Sequence, residues 1–103
     1  MVVFNDPVEF VWDDGNIDKN VAKHGVSNEE AEEIFTDSKR KIFKDKLHSS
    51  GEERFRILGK TKEERLLFVV FTIRGKKVRI ISARGINRKE VYLYEEKIGV
   101  TKI

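Results

Sequence analysis

The chain of 103 residues contains no cysteine, so it cannot form a disulfide, a thiolate zinc site or a cysteine nucleophile. It has two histidines, His24 and His48, and they stand among scattered carboxylates at no spacing that is typical of a metal site. The sequence therefore predicts neither a metal nor another cofactor. A chain without cysteine also suits a reducing compartment, so we expect it in the cytoplasm.

Long apolar runs and familiar catalytic loops are missing as well. No stretch approaches the roughly 20 apolar residues that cross a bilayer, and no basic leader precedes an apolar segment, so a soluble protein without membrane contact is expected. The sequence has no glycine-rich phosphate loop and no serine in a G-x-S-x-G setting. Arginine, lysine, carboxylates, histidine and tyrosine are the groups left for chemistry.

Charge is what the chain has in abundance, and it is unevenly distributed. Charged residues make up 38% of the sequence, yet the net charge is only +3. Residues 65–89 hold eight basic residues and no acidic one, whereas residues 27–37 hold five acidic residues and no basic one. A rigid cationic surface is typical of proteins that bind RNA or DNA, although some of these charges could simply keep a small domain soluble.

The pattern of apolar residues predicts one α+β domain over residues 1–103. A short edge strand is expected at residues 8–12, followed by two helices that are separated at Gly25. Four further strands are expected at residues 40–45, 53–59, 66–73 and 78–84. Their short connections predict an antiparallel meander, and a final helix follows near Asn87. In so small a domain we expect the helices to pack on one face of the sheet.

Two of the predicted helices begin at capping boxes, Ser27 with Glu30 and Asn87 with Glu90. In the first helix, Ile17, Val21 and His24 fall on one side, which predicts that this side packs inward. Under that prediction His24 is more simply a packed histidine than a catalytic group.

Arginines on the predicted strands are the candidate binding groups. Arg54 and Arg56 share one side of their strand, and this side faces away from the helices. Arg79 and Arg84 are five positions apart, so they cannot share a face of a regular strand. Either a β-bulge lies between them, or Arg84 lies just past the strand and is free to turn. Ser82 shares the parity of Arg84.

These residue types fit one reaction class well. RNA carries its own nucleophile, the 2′-hydroxyl, and an enzyme can stabilise the extra charge on phosphorus with arginine while other side chains move the protons. DNA lacks this hydroxyl, so the mechanism would select RNA. The same residues could equally serve a non-catalytic module that binds nucleic acid or protein.

Short motifs stand in a fixed order between about residues 9 and 96. They include Trp12-Asp13, Lys23-His24-Gly25-Val26-Ser27, Gly51-Glu52-Glu53-Arg54-Phe55 and Arg79-Ile80-Ile81-Ser82-Ala83-Arg84. Together these motifs resemble the BrnT family of toxins from type II toxin–antitoxin systems. The resemblance implies a RelE-like, broadly barnase-like fold and a ribonuclease that cuts cellular RNA and thereby blocks translation.

The resemblance also implies a partner, an antitoxin of the BrnA type. Such an antitoxin is a ribbon-helix-helix protein that occludes the toxin and carries the DNA-binding half of the complex. The toxin would therefore contact RNA directly and DNA only through its antitoxin.

The family pattern and the strand pattern together give a set of candidate site residues. The candidate catalytic residues are His24, Glu53, Arg54, Arg79, Arg84 and Tyr94. The candidate RNA-binding residues are Lys23, Arg56, Ser82 and Arg88. In this hypothesis the arginines bind the phosphate, Glu53 or His24 accepts the 2′-hydroxyl proton, and Tyr94 or Lys23 assists. The segment after Arg84 is less basic than the run common there in the family, which could weaken RNA affinity.

Overall fold

The computed structural model describes residues 8–45 and 51–95 of the protein. The helices are α1 (Lys19–His24), α2 (Asn28–Glu33) and α3 (Arg88–Glu95), with a 3₁₀ turn at Ile34–Thr36 that extends α2. The strands are β1 (Lys41–Asp45), β2 (Arg54–Lys60), β3 (Leu66–Arg74) and β4 (Lys77–Gly85). They form one antiparallel sheet in the order β1-β2-β3-β4, so the predicted α+β class and meander are confirmed. Within the described residues, no helix has the length and apolar character needed to span a membrane.

The boundary between α1 and α2 forms as the sequence predicts. Gly25 ends α1 with a φ of 67°, a left-handed conformation that glycine adopts at little cost. Ser27 then begins α2, because its hydroxyl accepts from the Glu30 amide at 3.0 Å while the Glu30 carboxylate accepts from the Ser27 amide at 3.0 Å. Val26 and Ala31, on either side of this cap, are both buried in the core.

The main core lies between α2, its 3₁₀ extension and one face of the sheet, which we call the helix face. Its buried side chains include Ala31, Ile34, Phe35, Ile57, Val69, Phe71 and Ile80. Full burial of one valine, isoleucine or phenylalanine side chain stabilises the fold by roughly 1.5–3 kcal/mol. The 3₁₀ turn approaches β2 so closely that a Cβ added to Gly59 would lie only 2.7 Å from Cβ of Ile34.

Helix α3 is on the opposite face of the sheet, whereas the small size of the domain predicted all helices on one face. Leu58 and Phe68 are paired residues whose side chains point away from the helix face. The guanidinium carbon of Arg84 in β4 lies 4.2 Å from the centre of the Phe68 ring. Nη2 of the same arginine lies 2.7 Å from Oε2 of Glu90 in α3. The physical reason was visible in the sequence: β3 is apolar on both sides, so both faces of the sheet need cover.

The predicted first strand is reduced to a single parallel bridge between Phe10 and Val78. The Val11 amide donates to the Val78 carbonyl, and the Val78 amide donates to the Glu9 carbonyl, both at 2.8 Å. The N-terminal segment therefore runs along the outer edge of β4. It leaves that edge at Asp13, where the chain turns toward α1.

The prediction for the inward side of α1 is wrong. Ile17 and Val21 are 43% and 48% exposed, and His24 is exposed as well. The buried residues are instead two asparagines, Asn16 at 1% exposure and Asn20 at 4%. Their amides meet backbone groups of β4, which explains why polar residues occupy the buried side.

Candidate functional site

A β-bulge in β4 decides where the arginines of that strand point. Phe71 pairs with Ile80 and Val70 pairs with Ser82, so Ile81 is an extra residue in the ladder. The bulge compensates for the separation of five positions between Arg79 and Arg84, which would place them on opposite faces of a regular strand. Arg79 and Arg84 consequently lie on one face, which is the first of the two alternatives that the sequence left open.

Four arginines define a surface that we call the arginine face: Arg54, Arg56, Arg79 and Arg84. The ladder places Arg56 opposite Val70, and Val70 opposite Ser82, so Ser82 belongs to the same surface. Neighbouring strands are about 4.8 Å apart, so the backbones of Arg56 and Ser82 are about 10 Å apart.

Arg79 is held in place at the turn before α1. Its Nη2 lies 2.8 Å from Oδ1 of Asp13, and its side chain is only 15% exposed. Gly15 permits this approach, since a Cβ there would lie 2.7 Å from the same Nη2. The hydrogen bond from Arg79, and then that from the Gly15 amide, lower the pKa of Asp13, so this carboxylate is ionised at neutral pH.

Arg84 is fixed by a two-pronged ion pair with Glu90. Nη1 and Nη2 of Arg84 lie 2.9 Å and 2.7 Å from the two carboxylate oxygens. Burial acts to raise the pKa of Glu90, but the hydrogen bonds from Arg84 and from the Asn87 amide outweigh it and leave that pKa lowered. The guanidinium is thus rigid and half-exposed, with the Phe68 ring beneath it.

Arg56 differs from these two arginines. Among residues 8–45 and 51–95 no carboxylate lies within 4.0 Å of it, and its buried Nε, like that of Arg79, has no hydrogen-bond partner there. Glu90 is close enough to feel its charge but does not contact it. A partly buried guanidinium without a counter-ion is a ready contact for an anion.

The structure brings some predicted site residues to the arginine face and leaves others elsewhere. Glu53 precedes β2, and its Oε2 lies 2.6 Å from Nζ of Lys44 in β1. Lys44 is paired with Phe55, whose side chain is on the helix face. Tyr94 is buried and donates to Oδ2 of Asp37 at 2.6 Å. Burial, followed by this hydrogen bond to Asp37, raises the pKa of Tyr94 well above its usual value, so its hydroxyl stays protonated.

The remaining predicted residues are exposed. Lys23 and His24 lie in the last turn of α1, and the His24 carbonyl accepts from Arg65 at 3.5 Å. Arg88 begins α3 with an exposed side chain. Within the described part of the chain, none of these three side chains bonds to an arginine of the arginine face.

Sequence reasoning missed two carboxylates that contact the arginine face, Asp13 and Glu90. The sequence predicts Glu90 only as a partner in a capping box, which it does complete with Asn87, and Asp13 only as part of a motif. Their second role needs tertiary contacts to Arg79 and Arg84 that no local pattern contains. Over the described ranges, no three histidine, aspartate or glutamate side chains come together in a way that could hold a metal ion.

The protein is a small antiparallel meander with four arginines on one face, and such a cationic surface is typical of domains that contact a polyanion. Residues 12–90 match the family model described as ribonuclease toxin, BrnT, of type II toxin-antitoxin system. The chain therefore belongs to the BrnT family: it is a ribonuclease toxin, its substrate is RNA and its partner is an antitoxin. The resemblance seen in the sequence motifs is confirmed, while a search of curated proteins found no match.

Proposed function

We propose that the arginine face is where this ribonuclease toxin binds and cleaves RNA, by attack of the 2′-hydroxyl on the adjacent phosphorus and without a metal ion. The observation that carries the proposal is the common face of Arg54, Arg56, Arg79 and Arg84. In the reaction the 2′-oxygen bonds to phosphorus and gives up its proton, the bond from phosphorus to the 5′-oxygen breaks, and that oxygen takes a proton.

The arginines would share this work according to their surroundings. Arg84 is immobilised by Glu90 and can present fixed positive charge to the developing phosphorane. Arg79 is held by Asp13 and lies four ladder positions from Arg84, roughly 14 Å along the strand, so it would contact another phosphate of the same RNA. Arg56 has no counter-ion among the described residues and would meet the phosphate first. Arg54 shares its strand face with Arg56 and would extend the track along the RNA.

The groups that move protons stay hypotheses. One hypothesis makes Glu53 or His24 the base, with Tyr94 or Lys23 assisting. Glu90 is an additional candidate, because it is a carboxylate in direct contact with Arg84. Single substitutions of Glu53 and Glu90 by glutamine, compared for cleavage rate, would separate the two.

The decisive experiment incubates purified protein with RNA in EDTA and identifies the product ends. We expect cleavage that leaves 2′,3′-cyclic phosphate, and a loss of about 10²–10³-fold in rate for Arg84→Ala, with a smaller loss for Arg54→Ala. The matched control is Lys62→Ala, which removes one positive charge from an exposed turn beside α2 and should cleave normally.

Other outcomes would count against the proposal in different ways. Tight RNA binding without cutting would support the alternative, a non-catalytic nucleic-acid- or protein-binding module. Cleavage that stops in EDTA would remove the metal-independent mechanism. Equal losses for Lys62→Ala and Arg84→Ala would show that overall charge, and not the arginine face, governs activity.

The cellular role of the toxin follows from RNA cleavage and from its antitoxin. We propose that RNA cleavage inhibits translation in the cytoplasm, and that the antitoxin is a ribbon-helix-helix protein of the BrnA type that brings DNA binding to the complex. Membership in a type II toxin family supports this assignment. Co-purification with the product of an adjacent ribbon-helix-helix gene would test it.

A further inference from the structure

The outer edge of β4 is covered by side chains where a neighbouring strand would otherwise pair. β4 is the last strand of the sheet, so alternate amides and carbonyls of its backbone point outward. The N-terminal segment satisfies Val78. Beyond that point, Nδ2 of Asn16 donates to the Ile80 carbonyl at 3.0 Å, and Oδ1 of Asn20 accepts from the Ala83 amide at 2.9 Å.

These two hydrogen bonds bracket the bulge. Ile80, just before the extra Ile81, accepts one of them, and Ala83, two residues after Ile81, donates the other. Asn16 is itself anchored, because it donates to the Val11 carbonyl at 2.9 Å and accepts from the Asp13 amide at 2.7 Å. Both asparagines are almost fully buried, so water does not compete for their partners.

The register around the bulge determines which side chains reach the arginine face. A slip of one residue moves every later side chain of a strand to the other face. Loss of the bulge without a compensating deletion would turn Ser82 and Arg84 toward the helix face and Ala83 outward. Among the described residues, only Asn16 binds the outward carbonyl of Ile80 and only Asn20 binds the outward amide of Ala83. The two asparagines therefore affect the arginine face through the backbone of β4.

We propose that Asn20, supported by Asn16, is a positioning residue for the ribonuclease: it holds β4 in the bulged register that places Arg79 and Arg84 on one face. This inference rests on the proposed function of the arginine face. Asn20 does not touch the substrate surface, since it is 4% exposed and lies at the strand edge.

The test compares Asn20→Leu, which is close in size but has no acceptor, with Asn20→Asp, which keeps an oxygen for the Ala83 amide. Hydrogen exchange followed by NMR reports on that amide directly. In Asn20→Leu we expect the Ala83 amide to lose protection and kcat to fall about 100-fold, as for a misplacement of about 1 Å, while KM changes less than about threefold because Arg54 and Arg56 are undisturbed. Asn20→Asp should retain both protection and most of kcat.

Deletion of Ile81 supplies the second arm. Without this residue the ladder becomes regular, yet Ala83 stays inward and Arg84 stays on the arginine face. In that background the register no longer depends on Asn20, so adding Asn20→Leu should lower kcat by less than about threefold. If Asn20→Leu does not fold, Asn20→Ser, which is too short to reach Ala83, replaces it.

The results separate this inference from the function it rests on. Normal kcat in Asn20→Leu, with the Ala83 amide unprotected, would overturn the positioning role while leaving the arginine face intact. An equal loss in the Ile81-deletion background would also overturn it. Unchanged cleavage in Arg84→Ala would instead overturn the proposed function, whatever Asn20 does.

Discussion

Asp37 shows how one side chain can tie together separate parts of a small fold. Its Oδ1 accepts from the Lys39 amide at 3.0 Å, and its Oδ2 accepts from the Lys60 amide at 2.8 Å and from the Tyr94 hydroxyl at 2.6 Å. It thereby joins the end of the 3₁₀ turn, the end of β2 and helix α3. Burial acts to raise the pKa of Asp37, but the hydrogen bonds from Tyr94 and the two amides prevail and leave it lowered.

A lowered pKa in the folded state means that the ionised carboxylate stabilises the protein. That stabilisation is fully present above the unfolded pKa of about 3.9, and it is lost as the pH falls through the lower folded value. We therefore expect Asp37→Asn to reduce the free energy of unfolding by about 1–3 kcal/mol at pH 7, and by progressively less below about pH 4. Urea denaturation of both proteins across pH 2.5–7 measures this difference.

Tyr94→Phe is the control for that measurement, because it removes one hydrogen bond and keeps the carboxylate. Tyr94→Phe should lower the free energy of unfolding less than Asp37→Asn does at neutral pH, and most of the pH dependence of that free energy should remain. A difference between wild type and Asp37→Asn that does not change with pH would contradict the linkage argument.

Residue types alone predicted some placements and misled on others. Arg54 and Arg56 were correctly predicted to share one face, since alternation along a strand is a strict geometric rule. That face is not free of helices, however, because α3 packs on it. Ile17, Val21 and His24 were expected inside, yet the buried residues are Asn16, in the turn before α1, and Asn20, on α1. The sequence could not reveal this, because the buried partners of these amides are backbone groups more than 60 residues away.

At the scale of elements, local signals located most boundaries. Capping boxes, glycines and alternation placed the four meander strands and the starts of α2 and α3 to within one or two residues. The bulge could only be offered as an alternative, because register depends on the partner strand. The side of the sheet that α3 covers was missed although β3 carried the signal, an apolar sequence on both faces.

The first turn of α3 contains a residue that serves two purposes, since Glu90 completes the helix cap with Asn87 and pairs with Arg84. Glutamine preserves the cap, because either side chain completes a capping box. Glu90→Gln should therefore free Arg84 for phosphate without unwinding α3, and RNA affinity should rise about fivefold, the equivalent of roughly 1 kcal/mol. Binding to a 2′-O-methyl oligonucleotide, which lacks the nucleophile, measures affinity apart from cleavage.

Glu29→Gln is the matched control, because it makes the same charge change at an exposed position of α2. It should leave affinity within about twofold of wild type. An equal gain in both variants would mean that net charge alone is responsible, and an unchanged affinity in Glu90→Gln would mean that the ion pair does not compete with RNA.

At the scale of the whole molecule, charge is separated by the sheet. The chain has 21 basic and 18 acidic residues, so its net charge of +3 gives little attraction for a polyanion. The acidic helix α2 packs against the helix face, whereas the arginine face is on the other side. This separation leaves a local positive field that net charge does not reveal, and it would orient an approaching RNA strand.

The salt dependence of RNA binding tests whether that local field, and not the net charge, governs association. Each phosphate neutralised on a single strand contributes about −0.7 to the slope of log K against log salt, so three or four arginine contacts predict a slope of about −2 to −3. Arg56→Ala should reduce the magnitude of the slope by about 0.7, because Arg56 has no carboxylate partner among the described residues. Lys62→Ala removes the same charge from the β2–β3 turn and should leave the slope unchanged. Equal reductions in both variants would mean that the protein binds RNA through diffuse charge and that the arginine face has no special part in it.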